Sequence, residues 1–359
     1  MLLAGPVLAG SAVVWLERRG QEARLERAVP GRRPTILFRQ ALRNVSLDDL
    51  AASRGVVALE RRMSVCPPPN PPLASSCTEQ REVLGGPPSG PLRVLATSDD
   101  CGGGSISVAP SVDVSGELVA IGENLCIPPG DRRRRIVVAR LGQGSPSLLC
   151  DADLLHGPPR CRGDARVAGR FVGWSEGRDA VVVYDRLRRR VAYRPLLPRV
   201  QSFDVQADGT LAVAYDPQGL DGAASVAWRT SQAGRVLPFR ARVSGRSRSV
   251  VRIAGDRILA ERVLSPSSSA LVVSDLRGRT RRIVRIAGPV RREGDFDLDG
   301  RRDTWASTRI TSTKLVCPPP GIGAPCVRAE TGITTVWLGS TAGGAPRAVG
   351  RLAFGDVTH

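Results

Sequence analysis

Short apolar segments separated by glycine turns recur along the whole chain. Each unit has an apolar segment, a Gly turn and a second small apolar segment, which often carries an aromatic residue and ends in Glu, as in PVLAGSAVVWLE and RVAGRFVGWSE. The turn glycines are Gly10, Gly55, Gly116, Gly169, Gly209, Gly255 and Gly300, at intervals of 40 to 61 residues. Apolar runs bounded by turn residues are typical of β-strands. The pattern therefore predicts a β-hairpin in each of seven repeats.

A second hairpin follows the first, most clearly in DAVVVYDRLRRRVAYRPLL after Gly169 and SALVVSDLRGRTRRIVRIAG after Gly255. Two hairpins per repeat give a four-stranded antiparallel sheet, and stacking such sheets buries both of their faces. Burial on both faces explains why residues 181–184 are continuously apolar. A period of this length is that of propeller blades. The sequence thus predicts an all-β fold, a β-propeller of about seven four-stranded antiparallel blades; a β-sandwich would not explain the repeated period.

The repeat extends over nearly the whole chain of 359 residues, so we expect one propeller domain spanning 1–359. Trp15, Trp174 and Trp305 each lie five residues after their turn glycine, which supports a common register. The approximate blades are 1–40, 41–97, 98–157, 158–199, 200–243, 244–290 and 291–359.

The repeat resembles that of the TolB-like and WD-type extracytoplasmic propellers of bacteria. The WD dipeptide and the GH pair of the eukaryotic-type repeat are absent, so the resemblance concerns the architecture. It implies a rigid propeller outside the cytoplasm. It does not imply one function, because propellers include lyases, glycosidases, oxidases and interaction scaffolds.

Composition and charge narrow the possible partners. Hydrophobic residues make up 42% of the chain and charged residues 24%, which is the balance of a folded protein. The formal net charge is +18, and Lys314 is the only lysine, so the positive charge comes from arginine. A positive surface attracts polyanions, which indicates a protein or an anionic envelope polymer as partner. Helix-turn-helix, RNP-like and zinc-finger patterns are missing, so we expect no specific nucleic-acid binding.

The eight cysteines predict an oxidising compartment. Pairing of neighbours gives four short loops: Cys66 with Cys77, Cys101 with Cys126, Cys150 with Cys161, and Cys317 with Cys326. Disulfides are typical of secreted and envelope proteins. Residues 10–17 match the repeat, so we assign the N-terminal segment to the first blade. We expect no transmembrane segment, no evident signal peptide in this chain, and a monomer.

The order of strands predicts where the loops lie. Strands are named a to d outward from the axis, so that the a–b and c–d turns share one end of the propeller and the b–c and d–a links share the other. We place the eight cysteines in links of the second class, with Cys126 in a b–c link and Cys150 in a d–a link. Long loops often carry function, so the first candidate surface consists of residues 61–80, 98–130 and 312–330.

A second candidate surface is rich in arginine. Arg186 and Arg188–Arg190 belong to the predicted c–d turn of blade 4, and Arg277, Arg279, Arg281 and Arg282 belong to that of blade 6. Arg132–Arg135 precede a predicted c strand. This surface would bind a partner with an affinity that falls steeply with salt.

The segment GDFDLDGRRD at 294–303 has the spacing of a calcium loop. Asp295, Asp297, Asp299 and Asp303 occupy relative positions 1, 3, 5 and 9, with Gly300 at 6, and alternate carboxylates on a tight turn can converge on a hard cation. The loop resembles those of integrin-type propellers, although it occurs once. An ordinary hairpin with an Asp-Gly turn is the alternative. We predict no other cofactor.

The sequence favours a non-catalytic extracytoplasmic binding or scaffold propeller. The alternative is a carbohydrate lyase or hydrolase with its active site in the central pore. Such an enzyme needs several acidic, Tyr or His side chains on the innermost strands, and those segments are mostly Val, Ile and Ala. Three or more carboxylates converging at the axis would favour the enzyme.

Overall fold

The computed structural model describes most of the chain. The described residues are 2–53, 55–65, 78–88, 90–99, 111–127, 131–143, 145–153, 161, 164–218, 223–229, 234–242, 251–265, 268–286, 296–299, 304–316 and 327–354. Within them, 28 β-strands follow one another and no helix occurs. None of the described segments therefore supplies an apolar helix long enough to cross a lipid bilayer.

Consecutive strands form seven groups of four, here called blades 1 to 7. Blades 1 to 3 consist of β1 (Leu2–Ala9), β2 (Ala12–Arg19), β3 (Glu22–Ala28), β4 (Thr35–Ala41), β5 (Val45–Ala52), β6 (Val57–Val65), β7 (Thr78–Gly86), β8 (Arg93–Asp99), β9 (Ser111–Ser115), β10 (Leu118–Ile127), β11 (Asp131–Arg140) and β12 (Ser147–Asp153). Blades 4 and 5 consist of β13 (Ala165–Ala168), β14 (Phe171–Glu176), β15 (Ala180–Asp185), β16 (Arg190–Tyr193), β17 (Val200–Val205), β18 (Leu211–Tyr215), β19 (Ala223–Arg229) and β20 (Gly234–Arg242).

Blades 6 and 7 complete the chain. They consist of β21 (Val251–Ala254), β22 (Arg257–Ser265), β23 (Ser268–Asp275), β24 (Thr280–Ile286), β25 (Phe296–Asp299), β26 (Thr304–Val316), β27 (Val327–Ser340) and β28 (Arg347–Phe354). Each strand pairs antiparallel with the next strand of its own blade. Blades 5 and 6 also touch edge to edge, through the single pair Ala241 and Arg262 of β20 and β22.

The innermost strands form a closed ring around a central axis. Each first strand contacts the first strand of the next blade, from β1 to β5, β9, β13, β17, β21 and β25, and β25 contacts β1 again. Because the last blade meets the first blade at the contact of β25 with β1, we call it the closing seam. The arrangement confirms the predicted all-β propeller, and the count of blades in the described residues agrees with the predicted seven.

Hydrophobic side chains hold neighbouring blades together. Seven buried clusters occur among the described residues, and each is shared by two consecutive blades, including blades 7 and 1. In β2, Val14 and Leu16 pack against blade 2, whereas Val13 and Trp15 pack against blade 7. Successive side chains of a strand point to opposite faces, so both faces of the sheet are buried. This is why the strands lack a regular polar alternation.

Trp15 shows how the closing seam is packed. Its indole is 1% exposed and belongs to a cluster with Ala306 and Val336 of blade 7. A Cβ atom at Gly350 would lie 3.0 Å from the indole, so a larger residue there would crowd it. Trp15, Trp174 and Trp305 all lie in second strands, as the register of the repeat predicted.

Three positions differ from the sequence prediction. Cys150 lies in β12 and Cys126 near the end of β10, so both belong to strands and not to links. Arg132–Arg135 lie inside β11 and do not precede it. The cause is cross-strand pairing: Arg133 and Arg135 reach Asp151 of β12 at 3.5 and 3.2 Å, which stabilises a strand where the charges alone suggested a link.

Candidate functional site

Four of the six aspartates and both arginines on the innermost strands form one group. We call Asp49, Asp113, Arg166, Asp204, Arg252 and Asp297 the axial ring. Asp113, Arg166, Arg252 and Asp297 each lie three residues before the turn glycine of their repeat. At Asp49 the positive φ of 42° and a register shift show a β-bulge, which brings its side chain into the ring.

Each axial aspartate joins its blade to the next one. The carboxylate accepts a hydrogen bond from a backbone N–H in the first strand of the following blade. The pairs are Asp49 with Val112 at 3.1 Å, Asp113 with Val167 at 2.7 Å, Asp204 with Ile253 at 2.9 Å and Asp297 with Leu8 at 2.7 Å. The last pair crosses the closing seam. The ring therefore satisfies backbone donors that the sheets themselves leave unpaired.

The two arginines lie between these carboxylates. Arg166 Nη1 is 4.0 Å from Asp113 Oδ1, and Arg252 Nε is 3.7 Å from Asp297 Oδ1. Arg252 Nε also donates to the carbonyl of Phe296 in blade 7, at 3.4 Å. Both arginines are buried. A buried guanidinium needs nearby anions, so the aspartates and the arginines stabilise one another.

The charges of the axial ring affect one another's pKa values. Burial raises the pKa of Asp204 to about 6, Arg252 opposes this shift, and the charge of Asp113 adds to it. Burial also raises the pKa of Asp297, again against Arg252 and with a contribution from Asp113. Asp113, Asp204 and Asp297 belong to blades 3, 5 and 7, which are not neighbours. Their interaction therefore runs across the axis.

The expectation of apolar innermost strands was wrong. Asp113 stands between Val112 and Val114, and Asp297 between Phe296 and Leu298, so each short segment looked apolar in isolation. An alignment of the repeats on the turn glycine would have shown a recurring charged position. Among the described residues, no group of three His, Cys, Asp or Glu side chains lies close enough to hold a metal ion.

The repeat glutamates form a second set of charges, buried in four blades and half-buried at Glu176. Glu17, Glu60, Glu123, Glu176 and Glu261 occupy matching places in second strands. Arginines pair with several of them; Arg62 Nε, for example, lies 3.0 Å from Glu60 Oε1. Glu60, Arg81, Glu82 and Glu123 line a cleft of about 190 Å³ between blades 2 and 3. Small-molecule sites begin at about 300 Å³, so this cleft is too small for such a ligand.

Arginines crowd the end of the propeller that carries the a–b and c–d turns. We call this surface the arginine face. Its exposed basic residues, in or directly beside these turns, are Arg32, Arg33, Arg93, Arg140, Arg170, Arg188, Arg189, Arg190, Arg229, Arg235, Arg277, Arg279, Arg281 and Arg347. The exposed acids at the same turns in the described chain are Glu117, Asp208 and Asp256. Every blade contributes at least one arginine.

Two turns of this face have the same construction. In blade 4, Asp185 Oδ1 accepts the backbone N–H groups of Leu187 and Arg188 at 3.1 and 3.2 Å. In blade 6, Asp275 Oδ1 accepts those of Arg277 and Arg279 at 3.0 and 2.8 Å. An aspartate that caps its own turn fixes the backbone. The aspartates therefore fix the backbone from which the turn arginines project. Arg186, Arg188, Arg189, Arg277 and Arg279 lie in these turns as predicted, whereas Arg190 begins β16 and Arg281 and Arg282 lie in β24.

The other predicted site residues are only partly described. Cys150 and Cys161 form a disulfide with a Cα–Cα distance of 6.1 Å, as predicted. The other predicted disulfide cysteines are Cys66, Cys77, Cys101, Cys317 and Cys326, which lie outside the described residues, and Cys126, whose side chain does. Half of the loop surface at 61–80, 98–130 and 312–330 also lies outside them. Those disulfides and that surface stay predictions.

Two of the four predicted calcium ligands lie within the described residues. Asp297 lies in the axial ring, where its Oδ1 also accepts the N–H of Leu298 at 2.9 Å. Asp299 ends β25, whereas Asp295 and Asp303 lie outside the described residues. The calcium site therefore stays a prediction, and its central residue has a structural role in any case.

Comparison with known proteins supports the architecture described above. No protein-family model and no curated protein sequence matches the chain. The β-propeller domain of the Trilobed protease from Pyrococcus furiosus superposes with a TM-score of 0.53 at 10% identity, and the alignment covers 97% of both chains. The chain is a β-propeller. That domain is described as having an open velcro topology. In the present propeller each blade contains four consecutive strands.

Two further solved structures are similar at lower scores. BamB from Moraxella catarrhalis is 12% identical with a TM-score of 0.45, covering 85% of this chain and 82% of its own. AztD from Citrobacter koseri is 10% identical with a TM-score of 0.41, covering 80% of this chain and 86% of its own. Function must therefore be inferred from the residues of this propeller.

Proposed function

We propose that this chain is a non-catalytic binding or scaffold propeller that acts outside the cytoplasm. The bonding of the axial ring carries the proposal. Its four carboxylates lie on the innermost strands, and their number alone would favour a pore enzyme. Each of them, however, already holds a backbone N–H of the next blade, at 2.7 to 3.1 Å.

Catalysis needs carboxyl groups that reach a substrate. A general acid or base must lie within hydrogen-bond distance of the reacting proton. Withdrawal of Asp113 or Asp297 from its N–H partner would leave a backbone donor unsatisfied and would remove a carboxylate from beside a buried arginine. The axial ring is therefore suited to holding neighbouring blades together, and the partner binds at the outer surfaces.

The disulfide supports the proposed compartment. Cys150 and Cys161 join the outermost strand of blade 3 to the segment that leads into blade 4. Such bridges persist in oxidising compartments. We infer that the three other predicted cysteine pairs are also disulfide-bonded.

A product assay tests the non-catalytic role. We expect the purified protein, incubated with uronate and neutral polysaccharides, to release no more unsaturated uronates or reducing ends than a heat-unfolded sample. The proposal would be wrong if products form and a folded Asp204→Asn variant stops forming them.

Peptide mapping without reduction tests the compartment. Protein isolated from its natural compartment should yield Cys150 linked to Cys161, Cys66 linked to Cys77 and Cys317 linked to Cys326. Free thiols at all of these positions would exclude the extracytoplasmic assignment.

A further inference from the structure

Exposed arginines follow one another on the arginine face over blades 3 to 6, with at least one from each blade, and we call this series the track. Arg140 of blade 3 is followed by Arg188 of blade 4, Arg235 of blade 5 and Arg277 of blade 6. Consecutive members come from neighbouring blades. The guanidinium of Arg235 lies over the turn of blade 6, where a Cβ atom at Gly278 would be 3.2 Å from it. The track is thus built across blade boundaries.

The nearby acids neutralise only part of the track; Arg140 Nε, for example, lies 4.0 Å from Glu117 Oε2. Asp185 and Asp275 direct one carboxylate oxygen to backbone N–H groups of their own turns. Arg188 Nε lies 3.9 Å from Asp185, and Arg279 Nε lies 2.6 Å from Asp275. Within the described chain, Arg189, Arg190 and Arg277 have no ion pair. Arg140 also lowers the pKa of Arg186, second to burial, so like charges are held close together.

Exposed side chains restrict the type of anion. The large exposed hydrophobic residues of the described chain are all aliphatic. Single-stranded nucleic acids are bound by exposed aromatic side chains on which bases stack, so this face lacks the expected platform. Membrane surfaces are bound through several apolar side chains, whereas Leu187, 77% exposed, is the one such residue at the tip of a described turn of this face.

We propose that the arginine face binds a linear anionic polysaccharide. This inference rests on the proposed binding function and names its ligand class and surface. Guanidinium groups pair with carboxylates through two parallel hydrogen bonds. A chain of uronate residues offers carboxylates at regular intervals. Rigid turns lower the entropy that is lost when the arginines become fixed on the ligand.

Binding of polygalacturonate tests the proposal. We expect the full-length protein to bind this polymer at low salt and to release it as salt increases. The Arg189→Gln, Arg190→Gln, Arg277→Gln triple variant should bind at least about tenfold more weakly. It lacks three exposed guanidinium groups that would each pair with a carboxylate of the polymer. Arg43→Gln, Arg178→Gln, Arg199→Gln is the matched control. It removes the same charge from exposed sites at the opposite end, in two d–a links and one b–c turn.

The outcomes separate this inference from the proposed function. Loss in the arginine-face variant with retention in the control supports the inference. Equal loss in both variants overturns it, because net charge would then explain binding. Binding to poly(dT) or phosphatidylglycerol vesicles in preference to polygalacturonate also overturns it. If no polyanion binds, the inference is wrong, while a binding propeller whose protein partner uses the loops at 61–80, 98–130 and 312–330 would remain.

Discussion

A single aspartate in an inner strand connects two blades of this propeller. Asp113 accepts the N–H of Val167 at 2.7 Å and lies 4.0 Å from the buried Arg166. Its position three residues before Gly116 recurs as Asp297 before Gly300. The sequence contained this signal, but a count of apolar residues in each segment concealed it. Only the closed ring shows that the carboxylates point to the axis and to the next strand.

Substitution of Asp113 should therefore destabilise the fold. We expect Asp113→Ala to lower the free energy of unfolding by about 1 to 3 kcal/mol, because it leaves a buried N–H without an acceptor. Asp113→Asn keeps an acceptor oxygen and should lower the free energy of unfolding by a smaller amount. Urea unfolding measures both. Asp256→Ala is the control, since Asp256 is exposed and 3.6 Å from Arg257; equal effects of Asp113→Ala and Asp256→Ala would show that the axial bond is unimportant.

A pair of buried glutamates in blade 1 should make stability depend on pH. Burial, together with the adjacent Glu17, raises the pKa of Glu26 from 4.5 to about 7. The folded state then binds a proton more tightly than the unfolded state. This contribution to stability is complete below pH 4.5 and is lost as the pH rises to about 7. The pKa of Asp204, raised from 3.8 to about 6, acts in the same direction at lower pH.

Glu26→Gln should remove most of the change in stability between pH 5 and pH 8. We expect the variant to be about 1 to 3 kcal/mol more stable than the native chain at pH 8 and similar at pH 5. Chemical unfolding at several pH values measures this difference. Glu22→Gln on the same strand is the control, because its hydrogen bond from Arg24 lowers the pKa of Glu22. A native chain whose stability rises from pH 5 to 8 would contradict the assignment.

The sequence predicted the order of strands and turns better than it predicted where each strand ends. The turn glycines at 10, 116, 169, 209 and 255 all have positive φ and join first and second strands, as the repeat indicated. Strand ends were less predictable. Arg132–Arg135 extend β11 because Asp151 lies opposite on β12, and a run of like charges does not reveal a partner from another strand.

The disulfide joins two elements that the sheets leave unconnected. Cys150 and Cys161 close a loop with a sequence separation of 11 residues. We expect the Cys150→Ser, Cys161→Ser double variant to lose about 3 kcal/mol of stability, because the unfolded chain gains conformational freedom. Thermal unfolding of both proteins under non-reducing conditions measures the loss. An unchanged melting temperature would show that packing of the buried Cys161 segment is sufficient without the bond.

The hairpin of β25 and β26 carries the calcium prediction. If the loop binds calcium, millimolar calcium should raise the melting temperature, and Asp299→Asn should abolish this rise. Asp297→Ala should destabilise the protein even with a chelator present, because Asp297 holds Leu8 at the closing seam. Absence of any calcium effect in the native chain would leave an ordinary hairpin.

Closure is the property of the whole molecule that the sequence could not supply. The repeats predicted stacked blades, but repeats alone do not show how the first meets the last. Here the packing of Trp15 between Ala306 and Val336 and the bond from Leu8 to Asp297 close the ring. The same closure turns scattered arginines into one face, since it aligns the a–b and c–d turns of every blade.

Binding without cleavage is the central claim, and one measurement tests it directly. Light scattering during size-exclusion chromatography gives the molar mass of polygalacturonate incubated with the full-length protein. We predict that the polymer elutes with the protein at low salt, separates from it at high salt, and keeps its molar mass throughout. A molar mass that falls with incubation time, and no longer falls with Asp204→Asn, would contradict the account.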